Sequence, residues 1–510
     1  MSRDAPQHQP HATHAHARVE PRLAHLLVLA ALAAFVLLYG LGARPLADWD
    51  EAIYAQVSKE MARGAGDWLT PTWEFQTWLE KPPLLMWTTA VFYRLFGVTE
   101  FWSRAASAFS GIGLVLLTYL LGRRLYDART GLLSALLLLT TYHFVSFSRF
   151  GTTDVMLTCF TYLALYAFVR LRTGGRALWW YAVWLASALA LMTKGAGGLL
   201  APAAIIFALL FDARRADVLS TRHFWFALLA AALCVAPWHV LMYARHGEAF
   251  VSEYVGYHVL ARIRTPLEGH APGYLFYVLK IIDGFFPWSL LTPFAVVSSV
   301  RENLRGDARS RLLLIVAALV FMTYTLVQSK LVWYIVPIYP ALALLVAAFV
   351  LKLYRAAVRR PKLKFAAGLL VALLLVAGGV YTFLLVRLTH SPAEASLAEI
   401  VAIAASRDAA DREPLLLFSD AEAPTRPAAL FYSNRPLRQV YLTNEPRSPR
   451  ARRYERPELI SSVVADEPLR IILRREDVEK LASGYELKVE AETASFVYAR
   501  IARRRVGRSN

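Results

Sequence analysis

Apolar runs recur along this chain from Leu23 to Leu388, broken by short polar connections. A helix of roughly 20 apolar residues crosses a hydrocarbon core of about 30 Å. The runs therefore predict spanning helices over 23–42, 104–121, 130–147, 155–170, 177–192, 196–211, 223–243, 273–297, 311–327, 333–350 and 365–387. Some are short for a full crossing, which tilt or an interfacial position accommodates. The run 83–97, "PLLMWTTAVFYRLFG", is apolar but short, and its Trp and Tyr suit a membrane interface. It reads as a re-entrant or interfacial helix inside a large loop, 43–103.

After Thr389 the pattern changes. Short β-prone runs ("PLLLFSD", "ALFYS", "QVYL", "LRIILR", "SFVYAR") alternate with helical ones ("SLAEIVAIAA", "EDVEKLA"). That alternation predicts a small soluble α/β domain over 390–510. At the other end, residues 1–22 carry His8, His11, His14 and His16 among Ala, Gln and Pro, with almost nothing apolar to bury. Disorder is the expectation there, and Leu23–Leu41 reads as a retained first helix.

Charge then sets sidedness. One alternating set of connections holds clusters such as Arg123, Arg124 and Arg129, or Lys352, Arg355, Arg359, Arg360, Lys362 and Lys364. The intervening set holds Arg149, Lys194 and Lys330, one cation each. By the positive-inside rule the cation-rich loops are cytoplasmic. The N-terminus is then inside, and the 43–103 loop and the C-terminal domain lie outside, in the periplasm. The net charge of +18 is explained by this topology without nucleic acid. With 57% hydrophobic and only 18% charged residues, and a mean hydropathy of +0.40, an ordinary soluble protein is excluded. Cys159 and Cys234 both lie in apolar runs and imply no disulfide.

On this topology several polar groups emerge on one face: Asp48, Asp50 and Glu51 after the first helix, Asp154 in "RFGTTDVM", Lys194 in "MTKGAG", His258 in the outer segment 244–272, and Lys330 in "QSKLVWY". The acidic stretch has two readings. It is a solvated turn complementing the dipole of "EAIYAQVSKEM", or it is a catalytic group at a cleft level with the lipid headgroups. Glu80 and Lys81 are followed by Pro82 and Pro83, which stop a helix from running back through the pair.

The stretches "DWDEAIYAQVSKEMARGAGDWLTP", "EKPPLLMW", "FGVTEFWSRAASAFSG", "SRFGTTDVML", "LMTKGAGGLLAP", "GYLFYVLKIIDGFFPWSLL" and "SKLVWYIVPIYPALALL" follow one another over residues 45–350. In that order they resemble the GT-C membrane glycosyltransferases of the protein-mannosyltransferase-like group, closest to the lipid A aminoarabinose transferases. The resemblance implies an all-α polytopic fold of about 11–13 transmembrane helices with a small C-terminal soluble α/β domain. It implies an enzyme of the inner membrane, acting as a monomer, that moves a sugar from a polyprenyl (undecaprenyl) phosphate to lipid A or another envelope acceptor on the outer face. One displacement step with inversion is expected.

The resemblance also implies roles. Asp50, Asp154, Glu80 and Lys81 match the family's catalytic positions. A polyprenyl phosphate leaving group needs cations, and Lys81, Lys194, Lys330, Arg149, Arg262 and Arg264 are the candidates. Trp333 and Tyr334 are expected to line the groove or anchor at the interface, and Pro337 and Pro340 to kink the helix beside it. A divalent ion such as zinc is implied on Glu80 and His258. Two ligands do not make a zinc site, and Tyr257 stands where the family often has an acid. A satisfied structural histidine is the other reading. Two rival functions differ in acceptor or class: transfer to protein hydroxyls, and a lipid-linked sugar flippase. A transporter places its polar groups near the bilayer midplane in repeated halves, whereas here they sit at helix ends and in one large loop.

Overall fold

The computed structural model describes residues 23–64, 67–212, 220–267, 273–357, 361–388, 392–407, 415–418, 427–433, 437–442, 458–464 and 469–503. The N-terminal histidine tail and the last basic residues lie outside these. Among the described residues, seven helical stretches are long and apolar enough to cross a membrane, or eight if one bent pair is a single span.

The chain enters through α1 (Leu23–Leu38) and then forms α2 (Asp50–Arg63), a two-stranded hairpin β1–β2 (Thr72–Trp73, Gln76–Thr77) and α3 (Leu84–Phe96). Thirteen residues of α3 rise only about 20 Å, short of a hydrocarbon core, as the run's length predicts. Then follow α4 (Glu100–Leu125), α5 (Ala128–Leu139), α6 (Tyr142–Ser148), α7 (Thr153–Arg172), α8 (Trp179–Lys194), α9 (Leu200–Leu210) and α10 (Arg222–Phe250). Where a single helix is expected over 130–147, α5 and α6 meet at a 70° bend. The hydroxyls of Thr140 and Thr141 take up the Leu137 carbonyl freed there. Between α8 and α9 the chain turns at Gly195, whose φ of +54° suits glycine.

The segment 244–272, expected as a loop, is largely helical. Its helix α10 is kinked at Gly247 and runs on into a π-helix, Val251–Ala261. The apolar pattern fades there, which hides the helix from a periodicity reading. The predicted helix 273–297 is two pieces, α11 (Phe276–Gly284) and α12 (Thr292–Leu304), parted around Pro287. After α13 (Arg311–Leu326), residues Val332–Ile338 form a 3₁₀ turn containing Pro337, and α14 (Tyr339–Ala356) begins with Pro340 in its first turn. The last long helix is α15 (Pro361–Leu388). Cys234 is exposed on α10.

The C-terminal part opens with α16 (Pro392–Arg407) and carries a six-stranded mixed sheet, order β5-β4-β3-β6-β8-β7. Its strands are β3 (Leu415–Phe418), β4 (Leu437–Tyr441), β5 (Glu458–Leu459), β6 (Leu469–Arg474), β7 (Tyr485–Glu492) and β8 (Phe496–Arg503). β3, β4, β5 and β6 pair in parallel, and β8 pairs antiparallel with β6 and β7. One β-prone run is a helix instead. "ALFYS" lies in α17 (Pro427–Ser433), where Pro427 starts the helix and Ala428 and Ala429 favour it.

Candidate functional site

The site gathers at element ends. Asp50 is the first residue of α2. The residue before it, Trp49, has φ +72° and ψ −129°, a conformation that costs a non-glycine residue on the order of 1–3 kcal/mol. Such strain persists where the surroundings over-determine it. Here they do. The next residue, Glu51, is fully buried, and its carboxylate is saturated. Arg104 Nε and Nη2 donate to its two oxygens at 2.8 and 2.9 Å, the Gly151 amide to Oε1 at 2.8 Å, and the Ala47 amide to Oε2 at 2.8 Å. Arg104 spends its remaining donors on the carbonyls of Leu41, Arg44 and Pro45. One ion pair therefore ties the start of α2 to α4 and to the turn before α7, three residues ahead of Asp154.

Lys81 stands just ahead of α3, held off the helix by Pro82 and Pro83. Its Nζ donates to the Tyr54 hydroxyl and lies 4.6 Å from the Tyr54 ring. Burial pushes the Lys81 amine down to about 8; Asp50 opposes that, Lys194 and Arg262 add to it, and Asp154 opposes it. The four leading charges on Lys81 thus come from α2, the end of α8, the residue after the π-helix, and the start of α7. These are the residues that the sequence scatters over more than 200 positions.

Asp154, in the first turn of α7, is buried and ion-paired with Lys194. The helix N-terminus adds favourable potential for its carboxylate. Lys194 also lies 4.5 Å from the Tyr334 ring, and Arg262 Nη1 donates to the Tyr334 hydroxyl at 3.2 Å. The Ser329 amide donates to the Arg262 carbonyl at 3.1 Å, which sets the buried Lys330 beside this edge. Lys330 Nζ is 5.7 Å from the Tyr274 ring. Arg149 and Arg264 stand elsewhere. Arg149 donates to the Val36 and Leu37 carbonyls at the end of α1, at 3.0 and 3.1 Å. Arg264 is exposed.

A second acid, Glu253, joins Glu80 and His258. His258 Nε2 is 3.4 Å from Glu80 Oε2, and ligand atoms of Glu80, Glu253 and His258 all lie within 4.8 Å of one another. The π-helix explains this. Five residues of α-helix advance about 500°, leaving Glu253 and His258 roughly 140° apart. In the π register the hydrogen bond joins i to i+5, so the two stack on one face. Arms of about 2.0–2.2 Å, as zinc makes to oxygen and nitrogen, bridge at most about 4.4 Å, so binding would draw these three side chains a little closer together. Two carboxylates and an imidazole fit a divalent ion. Sequence reading missed Glu253 because a five-residue spacing is no face of an α-helix. It missed Tyr54 and Arg104, and the burial of Glu51, because nothing local distinguishes a buried polar residue from a solvated one.

The described family "dolichyl-phosphate-mannose-protein mannosyltransferase" matches residues 80–241. The chain is 30% identical over 328 residues to the undecaprenyl phosphate-alpha-4-amino-4-deoxy-L-arabinose arabinosyl transferase of Pectobacterium carotovorum, covering 63% of this chain and 58% of that protein. Across the first curated relatives the match spans between 58% and 61% of their length. In structure it is similar to ArnT of Cupriavidus metallidurans bound to undecaprenyl phosphate, with a TM-score of 0.73 at 21% identity, over 94% of this chain and 98% of that one. It is also similar to the oligosaccharyltransferase of Archaeoglobus fulgidus, with a TM-score of 0.61 at 13% identity, over 95% and 74%. The chain has the GT-C fold of these membrane proteins, with a small C-terminal sheet, and its sequence is related to the ArnT transferases.

Proposed function

We propose that the protein is an inverting glycosyltransferase that moves a sugar from a polyprenyl phosphate to lipid A on the outer face of the bacterial inner membrane. The observation that carries this is the convergence of Asp50, Asp154, Lys81, Lys194, Arg262 and Tyr334 at the ends of membrane helices. The related arabinosyl transferase is named for such a donor. The C-terminal domain packs on the 43–103 loop, in keeping with both lying on one side of the membrane.

Lys81, Arg262 and Tyr334 hold the donor phosphate, and Lys194 pairs with Asp154 beside the sugar. The acceptor oxygen attacks the anomeric carbon from the face opposite the phosphate. The carbon–oxygen bond to phosphate breaks, its electron pair stays on phosphate, and the proton of a hydroxyl acceptor passes to Asp50. The cations stabilise the charge that grows on the leaving group. Glu80, Glu253 and His258 would hold a divalent ion such as zinc, which when bound adds positive charge near that phosphate.

The test is transfer by the purified protein from radiolabelled undecaprenyl phosphate sugars to acceptors in a membrane extract. Label in lipid A is the expected result; label that never leaves its carrier overturns the proposal. Lys81 adds a pH signature. Its amine is charged below about 8 and loses charge above it. The kcat/KM for donor is expected to fall as pH rises through about 8, and Lys81→Arg to level that fall because guanidinium does not titrate there. For the metal, protein stripped with chelator and reloaded is expected to take up one zinc. Glu253→Gln is expected to weaken that affinity roughly tenfold or more, read by competition with a zinc dye. Equal affinity would remove Glu253 from the ligand set.

A further inference from the structure

We propose that the C-terminal sheet domain is part of the catalytic apparatus, acting through α17 on α2, with Tyr432 as a positioning residue for Asp50. This rests on the transferase reading above.

The face of α2 that its sequence marks as polar is covered. Every residue from Glu51 to Met61 is buried, including Gln56, Ser58, Lys59 and Glu60. What covers Lys59 is α17. Lys59 Nζ donates to the Phe431 carbonyl and lies 4.7 Å from the Phe431 ring. Burial, then the charge of Arg63, push this amine down to about 7, against Glu60. Ala52 and Ala55 share one core with Ala428, Ala429 and Phe431, and with Leu397, Ile400 and Tyr498 of the domain. On the next face, Leu430 shares a core with Ile53, Tyr54 and Val57. Tyr54 is the residue whose hydroxyl holds Lys81.

Two polar ties reach the approach to Asp50 itself. The Ala428 amide donates to Asp48 Oδ1 at 3.2 Å. The Tyr432 hydroxyl accepts from the Leu46 amide at 2.8 Å and donates to Glu100 Oε1 at 3.1 Å. Tyr432 thereby joins the segment before Asp50 to the first residue of α4. Glu51 and Arg104 grip α2 from the bundle, and α17 grips it from the domain. The carboxylate at its first residue is set by both. A domain that only kept the chain soluble would have no use for part-buried hydrogen bonds to residues two and four positions from a catalytic acid.

Tyr432→Phe removes both hydrogen bonds and leaves the ring. In the full-length protein, kcat is expected to drop about tenfold to 100-fold, the scale of a small misplacement at a reacting centre, while KM for donor stays within about twofold. Hydrogen exchange across residues 46–61 is expected to quicken. Arg438→Ala, whose exposed side chain pairs with Glu458 across β4 and β5, is expected to change neither. Wild-type kcat with unchanged exchange in Tyr432→Phe overturns the proposal, as does a loss that appears equally in Arg438→Ala. Should Tyr432→Phe not fold, Asp48→Ala cuts the other tie and is read the same way. Exchange reports on α2 whatever reaction is catalysed, so failure of the transferase reading and failure of this one are told apart.

Discussion

Asp50→Asn is expected to lower kcat by about 10²–10⁴-fold, the range a positioned general base supplies, with the thermal midpoint nearly unchanged. Asn keeps the shape and loses the proton acceptor, so donor binding should survive while turnover does not. A second signature is specific to this site. Asp50 is the leading charge that raises the Lys81 amine against the burial that holds it near 8. Removing that charge lets the amine fall further. The decline of donor kcat/KM with rising pH is therefore expected to begin at lower pH in Asp50→Asn than in the wild type. Full turnover in Asp50→Asn would remove Asp50 from the chemistry. A loss of turnover with an unmoved pH profile would separate Asp50 from Lys81.

Glu51→Ala is expected to destabilise the fold by about 3–5 kcal/mol, the cost of breaking a buried ion pair from one side. The guanidinium of Arg104 stays buried with only its three carbonyl partners, and the Gly151 and Ala47 amides lose their acceptor. Glu51→Gln keeps an acceptor oxygen and is expected to lose less. The double variant Glu51→Met with Arg104→Met removes both charges together and is expected to recover part of the loss, because no lone charge is left behind. Thermal unfolding in detergent or nanodiscs measures all three. A Glu51→Ala protein as stable as the wild type would mean that the pair does not hold α2 to the bundle.

The two neighbours Asp50 and Glu51 show how far a sequence can be read. Their resemblance to a family pattern marked the pair, but not the division of labour within it. That division comes from the strained turn at Trp49 and from Arg104, 53 positions away. Glu80 and Lys81 are the contrasting case. Two prolines and the helix they introduce are local, so their place at the mouth of α3 was readable. The run "ALFYS" misled because β-prone residues in α17 owe their helix to Pro427 and to packing on α2, and tertiary packing overrides propensity.

The amino-acid sequence alone determined what repeats locally: a membrane-embedded helical chain, the approximate spans, a soluble sheet domain at the end, and a set of charged residues at helix ends. Hydrophobic periodicity and breaker residues act over a few turns, and every chain carries that record in its own order. Only the tertiary structure decided which charges meet. Asp50, Lys81, Asp154, Lys194 and Arg262 share one place because bent and broken helices pack across long separations. Glu253 faces His258 because ten or so residues take a wider helical register. Lys59 is buried because another domain lies on it. Those outcomes follow from packing among distant elements, where burial of apolar surface outweighs the local preference of any one residue.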